Sequence, residues 1–143
     1  MKITELKEFT PQQFAELKGL MTELSERLVL TEKALQDVVK DANSHLYILT
    51  DANRIIGCAT LGVFHSPTGR KASVEDVVVS ASYRGQQLGR RLMEHVLKVA
   101  REMAPIELHL TSKPKRVAAN GLYQALGFQR KETNFYRLII EAD

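Results

Sequence analysis

Apolar residues recur along the chain with two different periods, and the places where the period changes mark its elements. Phe14, Leu17, Met21, Leu24 and Leu28 lie at helical spacing. Thr10 before Pro11 supplies an N-cap and then proline at the first helical position, so a helix is expected over 11–27. Thr31 caps a second, shorter helix with Leu35, Val38 and Val39 on its inner face. Ile3–Phe9 alternates loosely and reads as an edge strand. His45–Thr50, Ile55–Phe64 and Ala72–Val79 read as three strands. The turn-rich segments Asp51-Ala52-Asn53-Arg54 and Ser66-Pro67-Thr68-Gly69 separate them, which predicts an antiparallel meander. Gly57 and Gly62 inside the second of these strands mark bulges or close approach of another segment.

The period then lengthens again. Leu88, Leu92, Val96, Val99, Ala100 and Met103 define a long helix that Pro105 stops, and Ile106–Thr111 follows as a strand. A strand, a helix and a further strand form a βαβ unit, so Ala72–Val79 and Ile106–Thr111 should be parallel. Val117–Leu126 reads as a helix ending at Gly127, and Phe128–Ile140 as one bent strand or two. The expected fold class is α/β (α+β), with a mixed central sheet and helices on both faces, in a single domain spanning 1–143.

The most informative junction is Val77-Val78-Val79 running into Arg84-Gly85-Gln86-Gln87-Leu88-Gly89. A buried strand, a glycine turn and a helix N-terminus aim free backbone N–H groups and the positive end of a helix dipole at one spot. Arg84, Arg90 and Arg91 add positive charge, so the fitting ligand is a phosphate or pyrophosphate. Neither G-x-x-x-x-G-K-[ST] nor the dinucleotide G-x-G-x-x-G occurs.

Composition narrows the chemistry. The 143 residues are 44% hydrophobic and 26% charged, a globular balance. The net charge of +3, with aromatics at only 6%, falls short of the clustered basicity of a nucleic-acid binder and suits a small anionic ligand. No apolar run reaches the roughly 20 residues of a membrane span, and Met1–Leu6 carries no apolar signal core, so secretion is not expected and a cytoplasmic location is. The single cysteine, Cys58, lies in an apolar strand and reads as a buried structural thiol. His45, His65 and His95 have no metal-binding spacing, and H-E-x-x-H and G-x-S-x-G are both absent, so neither a metal nor a nucleophilic triad is expected.

The run Arg84-x-x-x-x-Gly89 after Val77-Val78-Val79 resembles the acetyl-CoA signature of the GNAT superfamily of N-acetyltransferases. Gln87 stands where a glycine is usual. The wider stretch from Val74-Glu75-Asp76-Val77-Val78-Val79 to Gly89 is similar to the glucosamine-6-phosphate N-acetyltransferase branch. Leu122-Tyr123-Gln124-Ala125-Leu126-Gly127-Phe128 resembles the superfamily's L-Y-x-x-x-G-F, and the resemblance extends over about residues 45 to 140.

The resemblance implies a GNAT fold and direct transfer of an acetyl group from acetyl-CoA to a primary amine in a ternary complex. It implies that the backbone of the Val77–Val79 strand pairs with the pantetheine arm and that Arg84, Gly85, Gln86, Gln87, Leu88, Gly89 and Arg90 cradle the pyrophosphate. Tyr123 would protonate the leaving thiolate, a role its phenol suits. Arg116 stands seven residues before Tyr123, where the family often has Asn, and would meet either CoA phosphate or substrate. The first two helices would cover the acceptor side. Glu75, placed by the two-residue strand period opposite Asp76 and on Val77's side, is the first candidate for the base, with His109 and water as alternatives. An amino-sugar phosphate such as glucosamine 6-phosphate is one candidate acceptor, with Arg70, Lys71, Lys113, Lys115 and Arg116 as cations for its phosphate. A peptide or protein amine, a polyamine or an aminoglycoside stays open as acceptor, as does a non-catalytic acyl-CoA sensor. A homodimer is the assembly the family suggests; no nucleic-acid or membrane partner is expected.

Overall fold

A computed structural model describes all 143 residues. The chain forms two compact units, Met1–Thr111 and Ser112–Asp143.

In the first unit, strands β1 (Lys2–Glu5), β2 (Ser44–Asp51), β3 (Arg54–Ser66), β4 (Gly69–Val79) and β5 (Glu107–His109) form one sheet in sequence order. The first four strands are antiparallel, and β5 runs parallel to β4. The meander and the βαβ unit are thus both present. Ala52 and Asn53 take positive φ at the β2–β3 turn, as a tight hairpin requires.

Helix α1 (Pro11–Leu24) starts on a complete capping box: Thr10 Oγ1 accepts from the Gln13 amide, and Gln13 Oε1 accepts from the Thr10 amide. It stops three residues before the expected end, where Ser25 turns extended. Helix α2 (Glu32–Lys40) begins on Thr31 as expected. Leu17, Leu20 and Leu35 from these helices pack with Leu46, Ile48, Ile55, Cys58 and Val78 on one face of the sheet. Helix α3 (Leu88–Glu102) covers the other face: Tyr47 meets His95 edge-on at 4.9 Å, and Gly57 lies under Leu92. The alternation Leu46, Tyr47, Ile48, Leu49 therefore fills two cores, as a sheet covered on both sides demands.

Gly57 is a close-approach glycine. A Cβ there would sit 3.1 Å from the Val78 carbonyl oxygen and 3.2 Å from Leu92 Cδ1. Gly62 has open space around it, so the same expectation fails there.

In the second unit, α4 (Val117–Ala125) is followed by Gly127 at φ +104, where the Gly127 amide donates to Gln124 O and the Phe128 amide to Tyr123 O. The strands expected over 128–140 are absent. No strand or backbone hydrogen bond forms beyond Phe128, and Phe135, Tyr136, Leu138, Ile139 and Ile140 are exposed. The β-prone composition is real, but a strand exists only when a neighbour completes its ladder.

Candidate active site

The parallel pairing of β4 with β5 covers only Lys71↔Glu107, Ala72↔Leu108 and Ser73↔His109. Beyond Ser73, β4 keeps β3 on one edge and has no strand on the other. The Ser80 amide donates to Ile56 O on β3 at 2.7 Å. In an antiparallel ladder alternate residues turn their main-chain groups to opposite edges. Val78 therefore faces β3 with Ser80, while Val77 and Val79 turn their N–H and C=O groups to the open edge. The Val78 side chain is buried in the α1/α2 core.

Val79 leads into a 3-10 turn, Ala81–Tyr83, held from two sides. The Ala81 amide donates to Glu23 Oε1 at 2.8 Å, and the Tyr83 hydroxyl donates to Asp51 Oδ2 at 2.9 Å. Gly85 at φ +84 then reverses the chain, and Gln87 at φ +57 opens α3. Gln87 thus takes a left-handed conformation in which glycine is the easy choice. No side chain caps α3. Its first intrahelical amide bond is Arg91 N to Gln87 O, so the amides of Leu88, Gly89 and Arg90 are free of such partners. Arg84, Gly85, Gln86 and Gln87 are exposed around this spot, while Leu88 is anchored in the core. Arg90 pairs with Glu94 at 3.3 Å, and Arg91 donates to Met1 O, which turns Arg91 toward the N-terminal strand.

A bulge in β4 rewrites the expected placement of the acids. Between Thr60↔Glu75 and Cys58↔Val78, β3 advances two residues and β4 three. The extra residue falls where Asp76 takes φ +51. The two-residue alternation is interrupted, so it no longer sets Glu75 and Asp76 on opposite faces. Asp76 lines a small cavity of about 70 Å³ with Cys58, Thr60, Leu17, Met21 and Leu35, on the α1/α2 side. Glu75, the register partner of Thr60, is exposed and accepts from Ser73 Oγ at 2.6 Å. The Asp76 carboxyl keeps contact with solvent, yet its pKa is raised, first by partial burial and then by the neighbouring Glu75 charge. Burial, with Asp76 second, pushes the Cys58 thiol up to about 12, so it is inert as a nucleophile. His109 is exposed on β5 and contacts Glu107.

A larger groove of about 510 Å³ runs between α1 and the start of β3, with Gln12, Glu16, Glu23, Arg54 and Ser80 among its walls. Sequence reasoning did not find it. Gln12, Glu16, Gly19 and Glu23 share one helical face, a polar stripe that reads from sequence as a solvated surface.

In the second unit, Tyr123 is buried, and its ring meets Phe128 edge-on at 6.1 Å. Burial raises the phenol pKa, and Arg116 partly opposes that shift. Arg116 occupies the N-cap position of α4 without a side-chain cap bond. The preceding basic loop is tied by Asn120, whose Nδ2 donates to Lys113 O at 3.0 Å.

The acetyltransferase (GNAT) family model matches residues 7–128. A rat protein named N-acetyltransferase 8F1 is 29% identical over 114 residues, covering 73% of this chain and 52% of its own. A Drosophila melanogaster protein named probable glucosamine 6-phosphate N-acetyltransferase is 32% identical over 97 residues, covering 66% of this chain and 43% of its own. The chain thus spans about half the length of the curated relatives it matches. Among solved structures, a putative acetyltransferase from Agrobacterium tumefaciens superposes with a TM-score of 0.84 at 19% identity, covering 97% of this chain and 100% of the other. An aminoglycoside acetyltransferase from an uncultured soil sample reaches 0.82 at 19% identity, covering 97% and 96%.

Proposed function

The chain belongs to the GNAT family of acetyltransferases, and on that premise we propose that it is an acetyl-CoA-dependent N-acetyltransferase for a primary amine of a small molecule. The observation that carries this reading is the open edge of β4 running into an uncapped helix N-terminus. Val77 and Val79 offer main-chain donors and acceptors to the amides of an extended arm, as an added strand would use them. The Leu88, Gly89 and Arg90 amides, with Arg84, offer a cradle for a pyrophosphate. Acetyl-CoA supplies the acetyl group as a thioester. In this reading 1–143 works as one catalytic domain, in the cytoplasm and as a homodimer.

The protein's own work is to move two protons. The incoming ammonium must lose one so that its lone pair can attack the carbonyl carbon. Glu75 takes it, directly or through water, and Asp76 beside it is the competing base, because it carries the raised pKa a base needs. As the C–N bond forms and the C–S bond breaks, the electron pair leaves on sulfur, and the Tyr123 hydroxyl donates the second proton there. The acceptor class we favour includes amino-sugar phosphates such as glucosamine 6-phosphate, on the strength of the Drosophila relative's name. Arg70 and Lys71 on β4 are the nearest cations in sequence for its phosphate. Arg70 already donates to Met103 O and Lys71 to Thr68 Oγ1, so both are anchored.

The test is release of free thiol from acetyl-CoA against a panel of amines: amino-sugar phosphates, polyamines, aminoglycosides and short peptides. The expected result is turnover with one small-molecule class. Turnover with peptides alone would overturn the acceptor class, and binding without any turnover would favour a sensor.

A further inference from the structure

We propose that the protein transfers short straight acyl groups of three or four carbons as well as acetyl, the chain seating in the small apolar pocket between α1, α2 and the sheet beside Asp76. This rests on the reading of the β4 edge as an acyl-CoA site; the acyl pocket is what is new. The step balances as acetyl transfer does. A C–N bond forms to the amine, the thioester C–S bond breaks, and its electron pair leaves on sulfur. The amine gives up one proton and the thiolate gains one.

The pocket of about 70 Å³ grades from sealed to open. Leu17, Leu35 and Cys58 are at most 2% exposed and form its floor. Met21 and Leu30 are half-buried and Asp76 reaches solvent, so these form its mouth. Apart from Asp76 and Thr60, its wall is apolar side chains and the inert Cys58 thiol. Such a space is uncommon in a close-packed core, because its lining forgoes contacts on one side. An apolar cavity of roughly 150 Å³ holds a benzene ring. About half that volume takes a straight chain of two to four carbons.

Its place along β4 decides the occupant. The pyrophosphate cradle, Arg84 to Arg90, lies beyond the C-terminal end of β4. An arm held there and laid along the open edge runs back past Val79 and Val77, so its thioester end arrives at the bulge. Asp76, one residue along from Val77, is the β4 residue that lines the pocket. An acetyl methyl stops at the mouth, and each further methylene enters toward the apolar floor. The larger groove beside α1 has Arg54 and Ser80 in its walls, at the pyrophosphate end of the arm rather than the acyl end.

The test titrates acetyl-, propionyl-, butyryl- and octanoyl-CoA into the full chain by calorimetry, and follows thiol release from the same series with an amine that accepts acetyl. Affinity is expected to rise about fourfold per methylene from acetyl to butyryl, with no further gain at octanoyl. Propionyl- and butyryl-CoA are expected to turn over within about tenfold of acetyl-CoA. Val38→Phe, which fills the pocket from α2, is expected to lower the butyryl-to-acetyl affinity ratio about tenfold. Val38→Ala is expected to move the preferred chain to a greater length, and it stands in where Val38→Phe does not fold. Affinity that is flat across the series, or a ratio that both Val38 variants leave unmoved, would overturn the acyl pocket and leave acetyl transfer in place. Variants that change only the KM of the amine would give the pocket to the acceptor and overturn the proposal. Failure of every acyl-CoA to bind would overturn the β4-edge reading itself, and the acyl pocket with it.

Discussion

At the residue scale, the pair Glu75 and Asp76 shows how a local backbone choice decides chemistry. Adjacent strand residues should face opposite ways, but Asp76 at φ +51 bulges out of the ladder and meets the apolar side of α1 and α2. The bulge was not legible in the sequence, because an aspartate rather than a glycine holds the left-handed position. Its energetic signature has a definite sign. The folded state holds the Asp76 proton more tightly than the unfolded chain does. This group therefore favours folding at pH below its unfolded pKa of about 3.9, and that contribution is lost as pH rises through the raised folded value. Asp76→Asn should raise Tm at neutral pH, with the gain shrinking to nothing near pH 3; thermal melts across that range read it, and an unchanged neutral Tm would contradict partial burial of the carboxyl. In the pH–rate profile, the acid limb should flatten in Glu75→Gln. If it flattens in Asp76→Asn instead, the proton goes to Asp76. Tyr123→Phe should lower kcat by about 100-fold while acetyl-CoA affinity holds. Full turnover in that variant would reduce Tyr123 to the packing partner of Phe128.

At the scale of elements, most of the sheet and its helices could be read directly. Thr10, Pro11 and Thr31 mark helix starts by capping chemistry that needs no tertiary partner. The two-sided strands β2 and β3 reveal themselves because both their faces are apolar. β5 is shorter than its pattern, since only three residues find the β4 ladder before the strands part. The tail failed as a prediction for the same reason: its pattern specifies a strand, but pairing needs an edge that local sequence does not name. Gly57 is the element-scale residue that positions the site. It lets β3 lie close beside the end of β4 and beneath Leu92 of α3. Gly57→Ala should cost about 1–3 kcal/mol in urea unfolding, because the Val78 carbonyl cannot yield as a flexible side chain would. A variant as stable as wild type would show that β4 has room to shift there.

At the scale of the whole molecule, the fold was legible from two short blocks and their order, while the acceptor was not. The Arg84–Gly89 turn and the Leu122–Phe128 block carry the resemblance to the family, whereas the α1 groove is lined by a polar stripe that a periodicity argument treats as solvated. A mild net charge of +3 fits an anionic carrier, and binding should weaken with salt. No helix is long and apolar enough to cross a membrane. The central claim is that acetyl-CoA is held where β4 meets α3, and calorimetric titration of acetyl-CoA into wild type and Gly89→Glu tests it most directly. A Cβ at Gly89 would meet no neighbouring atom outside its own helix within 4 Å, and a carboxylate in the first turn suits the helix dipole, so the fold should stand. The same carboxylate would repel a pyrophosphate. The account predicts measurable binding to wild type and at least about tenfold weaker binding to Gly89→Glu, with equal Tm for the two. Equal affinity in both proteins, or no binding to wild type, would contradict it.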